Sequence, residues 1–273
     1  MTILKKTDPE KLLREFIDEK LGGELDRLRT FDVKSLRDSE KFGCPGRYFD
    51  GDDTELARAV YVVLWGDVLP ELAMETLGNG KKYRGDTMNS FHTMFGRNIP
   101  ERPGFYAGLE KYDPPEELRR KVRFFGENVC GTLGNFVVLP NLGAEETTMN
   151  LYRGTNSWRD FFDRFLTELE KVLCGREEKD PLLAKLAEAN AFCFDAFRGE
   201  EGFRAFVRLL LLEDYCEEGR PRIVFPMNYH WRDPAAKEAY LADAEKYLAR
   251  AERIVENRGR GMIARLAEKL PMR

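Results

Sequence analysis

The sequence predicts a mainly α protein: a single helical domain with long polar loops and a small β element. Three observations carry this reading. Apolar residues recur at three- and four-residue spacing over several stretches of ten residues or more. Asp-Pro or Pro-Pro pairs stand just before several of those stretches, as N-caps and first-turn prolines do. Strand-like runs are few, Phe136-Val137-Val138-Leu139 and Arg222-Ile223-Val224-Phe225, and each is ended by a proline.

Asp8-Pro9 opens a short helix over Leu12, Leu13, Phe16 and Ile17. Turn chemistry follows at Gly43 to Asp53, and Thr54 caps a helix to Trp65. A long polar stretch, Leu77 to Tyr112, precedes Pro114-Pro115 and a helix from Glu116 to about Gly126. Ser157 with Asp160 reads as the start of a helix that stops at Gly175. Its stripe of Trp158, Phe161, Phe162 and Phe165 places it at the centre of the core. Asp180-Pro181 starts the next helix, through Leu183, Leu186, Phe192 and Phe197. Phe203 to Leu212 is apolar on most sides and reads as another central helix. Asp233-Pro234 starts a long alanine-rich helix that should fray near Gly259 and Gly261. No repeat and no linker interrupts the chain, so residues 1–273 read as one domain: an N-terminal helical arm at 1–30, a core at 31–258 and a C-terminal helical extension at 259–273.

A chain of 273 residues with 42% hydrophobic side chains can build a core without metal or disulfide. Its 44 basic and 48 acidic side chains leave a net charge of −4, which argues against wholesale coating of nucleic acid but not against a local basic groove. The five cysteines are scattered with no Cys-x-x-Cys, only two histidines are present, and no metal site is expected. Neither a signal peptide nor a membrane-length apolar run is legible, so the expected location is the cytoplasm, without membrane association.

The chemistry concentrates in three polar segments. The first holds Arg84, Asp86, Asn89 and His92, the second Asn135 and Asn141, the third Asn150, Arg153 and Asn156. Tyr-Arg-Gly occurs in both the first and the third; a planar guanidinium beside glycine suits bidentate contact with phosphate or carboxylate. Arg153-Gly154 also precedes a helix N-terminus, which favours an anion. The expectation is a pocket in which Arg84, Asn89, Asn135, Asn150, Arg153 and Asn156 bind ligand, with Arg153 solvent-reachable at its floor, and with Asp86 and His92 as a general-base pair. The bland alternative is that these side chains satisfy loop carbonyls. Two basic stretches, Arg119 to Arg123 and Arg250 to Arg273, could each contact phosphates, and the favoured expectation is a solvated face for both.

Taken in order, several segments resemble an uncharacterised bacterial protein family of unknown function. They are Leu64-Trp65 with Leu69-Pro70, Asp86-Thr87 with Ser90-Phe91, Thr132-Leu133-Gly134-Asn135-Phe136 to Pro140, and Asn150 with Arg153-Gly154-x-Asn156 and Asp163-Arg164-Phe165. The resemblance spans most of the chain after about Phe31 and implies a single mainly helical domain in a bacterial or phage-encoded protein. It supplies no catalytic residue and no cofactor.

The leading functional expectation is therefore a protein that binds a nucleotide or another phosphorylated small molecule. A nucleic-acid-acting protein and a non-catalytic protein-interaction module are the alternatives. Neither an enzymatic reaction nor an oligomeric state is legible.

Overall fold

The computed structural model describes residues 8–44, 51–69, 72, 83–88, 91–96, 98–99, 102–154, 161–225 and 234–270. The expected mainly α architecture is what it shows. Helix α1 (Pro9–Leu21) begins where Asp8 accepts hydrogen bonds from the Glu10 and Lys11 amides, at 3.0 and 3.3 Å, and ends at Gly22 in the left-handed region. Helix α2 (Glu55–Trp65) starts on Thr54, whose hydroxyl accepts from the Ala57 amide at 3.1 Å.

Strand β1 (Tyr83–Thr87) comes next, followed by α3 (Phe91–Phe95), β2 (Asn98–Ile99), β3 (Arg102–Tyr106), α4 (Ala107–Glu110) and α5 (Glu116–Asn128). After a 3₁₀ turn at Leu133–Asn135 the chain enters β4 (Phe136–Pro140), β5 (Gly143–Ala144), β6 (Thr147–Thr148) and α6 (Met149–Gly154). Beyond them lie α7 (Phe162–Leu173), α8 (Pro181–Ala189), α9 (Ala191–Phe194), α10 (Gly199–Leu209), the hairpin β7 (Cys216–Glu217) and β8 (Arg220–Pro221), and α11 (Lys237–Lys269). The sheets are all antiparallel pairs: β1 with β4, β2 with β3, β5 with β6, β7 with β8. One apolar cluster runs from Leu12 of α1 to Leu270 just past α11.

Several expectations are corrected. The strand-like run Arg222–Phe225 is not in a sheet; the Arg222 amide donates to the Tyr215 carbonyl at 2.8 Å, and side chains bind the main chain of Val224 and Phe225. Asp163 accepts from the Val224 and Phe225 amides, both at 2.8 Å, while Arg250 donates to the Val224 carbonyl and Arg164 to that of Phe225. Conversely β1, which reads as polar loop, is a strand because the fully buried β4 needs a backbone partner; Gly85 stands opposite Val138.

The leucine run after Phe203 does not continue α10. The helix ends at Leu209 with Leu211 at φ 58°, and the Leu212 amide reaches back to the Val207 carbonyl at 2.9 Å. The long axial helix is α11, which passes through Gly259 and Gly261 without fraying. Each glycine costs about 1 kcal/mol relative to alanine in a helix, but packing outweighs that. Met262, Leu266 and Arg258 are all buried on this stretch. Ser157, Trp158, Asp160 and Asp233 lie outside the described residues, and α7 itself begins at Phe162, buried along with Phe161 and Phe165.

Arg258, expected on a solvated face, is 2% exposed. Its Nε donates to the Leu210 carbonyl at 3.0 Å. Its Nη1 donates to the carbonyls of Leu133 and Gly134, at 3.3 and 3.2 Å, and of Phe136. Trp65 lies 5.7 Å from the guanidinium and donates its own Nε1 hydrogen to the Leu209 carbonyl at 2.8 Å. Arg265 donates to Leu209 and Arg208 carbonyls, both at 2.6 Å. The C-terminal end of α10 is thus held by two cations and an indole, as its dipole favours. An Arg258→Lys variant keeps the charge but cannot reach both groups of carbonyls. Each buried carbonyl left without a donor costs about 1–3 kcal/mol, so urea denaturation should show a loss of about 3 kcal/mol. Unchanged stability would show that Arg258 does not clamp these turns.

Candidate functional site

The three polar segments of the sequence are placed as follows. Arg84 is half-buried on β1, opposite Leu139; the backbone of Asp86 pairs with Val137, and its side chain lies outside the description. His92 is exposed on α3, with Nδ1 3.3 Å from the Gly96 carbonyl oxygen. Asn135 is 0% exposed and donates from Nδ2 to the Cys130 carbonyl at 2.8 Å, while its own carbonyl accepts from the Met88 amide. Asn150 is half-buried, and its amide donates to Asn141 Oδ1 at 3.1 Å, which joins the second and third segments. Asn89 and Asn156 lie outside the described residues.

Arg153 does not sit at an open pocket floor. It is 1% exposed at the end of α6, its guanidinium 5.3 Å from the Phe162 ring and 5.2 Å from that of Phe165. The apolar stripe of α7 encloses it, an outcome set by tertiary packing rather than by the Arg-Gly motif. Nearby Asp163, 0% exposed on α7, also accepts from the Arg164 amide at 2.7 Å. Burial pushes the Asp163 carboxyl above its ordinary value, against the opposing pull of the Phe225 and Val224 amides and the Arg164 guanidinium. The buried Tyr215 hydroxyl is raised well above its usual range by burial, with the Asp163 charge adding to the rise and Arg258 and Arg153 opposing it. These groups form an internal polar centre, closed to solvent.

The accessible chemistry lies elsewhere. Strand β3, α4 and α5 surround a cleft of about 560 Å³ lined by Arg102, Gly104, Phe105, Glu110, Glu116, Arg119 and Arg123. Pro115 and two first-turn glutamates start α5, and the i, i+4 spacing puts Arg119 and Arg123 on one face. Arg119 is committed: Nε is 3.0 Å from Glu110 Oε1 and Nη2 is 3.1 Å from Oε2, with Asp113 and Glu116 at 3.5 and 3.7 Å. Arg102 and Arg123 are exposed, and neither has a carboxylate within ion-pair distance among the described residues. The Arg102 guanidinium lies 3.8 Å from the centroid of the Phe105 ring. Arg123 rests on Gly104, whose φ of +78° suits glycine and where a Cβ would collide with Arg123 Nε. A legible signal for this site existed: two arginines four apart on a Pro-initiated helix, beside an Arg-Pro-Gly-Phe turn.

A family model described as Family of unknown function (DUF6994) matches residues 115–262, more than half of the chain. The chain belongs to that family. No curated protein and no solved structure matches it. The DUF6994 match takes in Arg119 and Arg123, the α6–α7 polar centre and the Arg258 clamp, whereas Arg102 to Phe105 precede it. Among the described residues no cluster of His, Cys, Asp and Glu is placed to hold a metal.

Two variants test the internal centre. Arg153→Lys loses the planar group packed against two rings, and its stability in urea should fall by about 2 kcal/mol whatever anion is added; wild-type stability would mean the side chain is open to solvent. For Asp163, folding raises the carboxyl's affinity for a proton. Its stabilising contribution is therefore fully present below the ordinary value of 3.8 and is lost as pH rises through the higher folded value. Asp163→Asn cannot titrate. The stability difference between wild type and Asp163→Asn should accordingly move in favour of wild type as pH is lowered from 7 towards 4, measured by urea midpoints; the reverse trend would show that the native fold favours the charged carboxylate.

Proposed function

We propose that this protein binds a nucleotide or another phosphorylated small molecule in the cleft between β3 and α5. The observation that carries the reading is the pair Arg102 and Arg123, both exposed and without a carboxylate partner among the described residues, facing one cleft. A phosphate there would neutralise two guanidinium groups that the protein's own acids leave uncompensated. The volume of about 560 Å³ falls within the usual span of ligand sites, ~300–1,000 Å³.

The surroundings favour a small anion over a polyanion. Arg120 is paired with Glu117 at 3.0 Å, and Lys121 with Glu117 and Glu245 at 3.6 and 3.5 Å, so α5 offers no continuous basic track. The carboxylates of Glu110, Asp113 and Glu116 stand around Arg119 and would repel a backbone laid along the helix. The anion reading drawn from Arg153-Gly154 thus moves to Arg102 and Arg123, because Arg153 is enclosed. The cytoplasm is the compartment we assign, in keeping with an odd number of scattered cysteines. No helix of the described residues is long and apolar enough to cross a membrane.

Thermal melting of the full chain in inorganic pyrophosphate tests the site. The melting temperature should rise with concentration, and Arg123→Gln should abolish the rise while leaving the ligand-free melt in place. A rise that persists in Arg123→Gln, or none in wild type, would overturn this reading. A salt-sensitive gel shift with single-stranded DNA, lost in the same variant, would instead favour the nucleic-acid alternative.

A further inference from the structure

A bare phosphate would occupy a small part of the Arg102–Arg123 cleft, so the composition of the remaining wall says what else the ligand carries. Among the lining residues Phe105 is the one large apolar side chain, which leaves little to hold a fatty chain. Its ring is not simply exposed. The central carbon of the Arg102 guanidinium lies 3.8 Å from the ring centroid, and Arg102 is itself exposed. Phe105 therefore backs the Arg102 cation, and both residues line the cleft. A guanidinium layered in this way is a stacking platform: its plane accepts a second flat π-system, and little side-chain entropy remains to be lost.

Arg123 has the complementary character. Its Nε and Cζ pack against the backbone of Gly104, in the space a Cβ would take, which fixes where the guanidinium sits. Its donors are available to a phosphate. Glu116 completes the wall: its side chain is 76% exposed and its contact with Arg119, at 3.7 Å, is looser than the two-pronged Glu110 pair, so its oxygens can accept hydrogen bonds from hydroxyl groups.

We infer that the ligand of this cleft is a nucleotide, with its base stacked on the Phe105-backed Arg102 guanidinium, its phosphate on Arg123 and its sugar hydroxyls toward Glu116. This inference rests on the anion-site reading above and adds to it the flat ring and the sugar. A sugar phosphate would use Arg123 and Glu116 but leave the platform bare; a nucleoside would use the platform but leave Arg123 without its anion.

Calorimetric titration of the full chain with adenosine 5′-monophosphate, ribose 5-phosphate and adenosine separates these contributions. The monophosphate should bind at least ~10-fold more tightly than ribose 5-phosphate, in line with the stacking energy of one base on a protein platform. Arg102→Lys keeps the charge and loses the plane. It should remove that advantage, so that the monophosphate and ribose 5-phosphate bind alike. Arg123→Gln should weaken both phosphorylated ligands together and leave adenosine unaffected. Both arginines are exposed, so neither change should alter the melt of the ligand-free chain. Equal binding of the monophosphate and ribose 5-phosphate, both lost in Arg123→Gln, would overturn the nucleotide assignment while the anion site stands. A base advantage that survives Arg102→Lys would overturn the platform. Failure of every phosphorylated compound to bind would overturn both readings.

Discussion

A single buried guanidinium holds the two ends of the architecture together. Arg258 projects from α11 into a space where four main-chain carbonyls converge, those of Leu133, Gly134 and Phe136 from the turn before β4, and that of Leu210 from the end of α10. The Leu133 carbonyl also accepts from the Phe136 amide, and a buried carbonyl left without any donor would cost about 1–3 kcal/mol. Burial, with the Arg265 charge adding to it, disfavours the cation and brings its pKa down to about 10 against the opposing pull of Tyr61, Tyr215 and Glu213. The carbonyl dipoles and the Trp65 ring provide the compensating field. Gly134 contributes by omission: a Cβ there would meet the Val255 carbonyl, so the turn can lie directly against the α11 backbone only without one. The positions of β4, of its partner β1 and of the α10 terminus all follow from this contact.

Local chemistry was the legible part of the fold. Asp8, Thr54 and Asp180 each accept amide hydrogen bonds at the helix start their sequence context announces, and Gly175 at φ 69° ends α7 as expected. These signals act within four residues, so sequence carries them whole. What depends on distant partners was not legible. Tyr83–Thr87 is a strand only because Phe136–Pro140 lies beside it, and Arg222–Phe225 is not one because Asp163, Arg164 and Arg250 take the hydrogen bonds a neighbouring strand would have made. Gly259 and Gly261 weaken a helix in isolation, but α11 is held from outside.

The site shows the same division. The two Tyr-Arg-Gly copies do not sit in comparable places: Arg84 is on an edge strand and Arg153 is walled in by Phe162 and Phe165. Arg-Pro-Gly-Phe at Arg102–Phe105 carries the same chemistry in the open. Whether a guanidinium is spent on the protein's own interior or offered to solvent is decided by which aromatic faces close over it, and that is a property of the packed state.

The order of synthesis gives α11 a further significance. It follows every element it organises, and Arg258 meets groups about 50 and 125 residues upstream of it in the chain. While a ribosome is still adding α11, the 133–136 turn, the α10 terminus and the parts of α2 and α5 that pack against α11 lack that partner. Such a nascent chain exposes unpaired polar backbone beside hydrophobic surface, the combination that draws chaperones and promotes aggregation. The contacts that α11 makes can therefore form only after it has been synthesised, later than those among the elements before it.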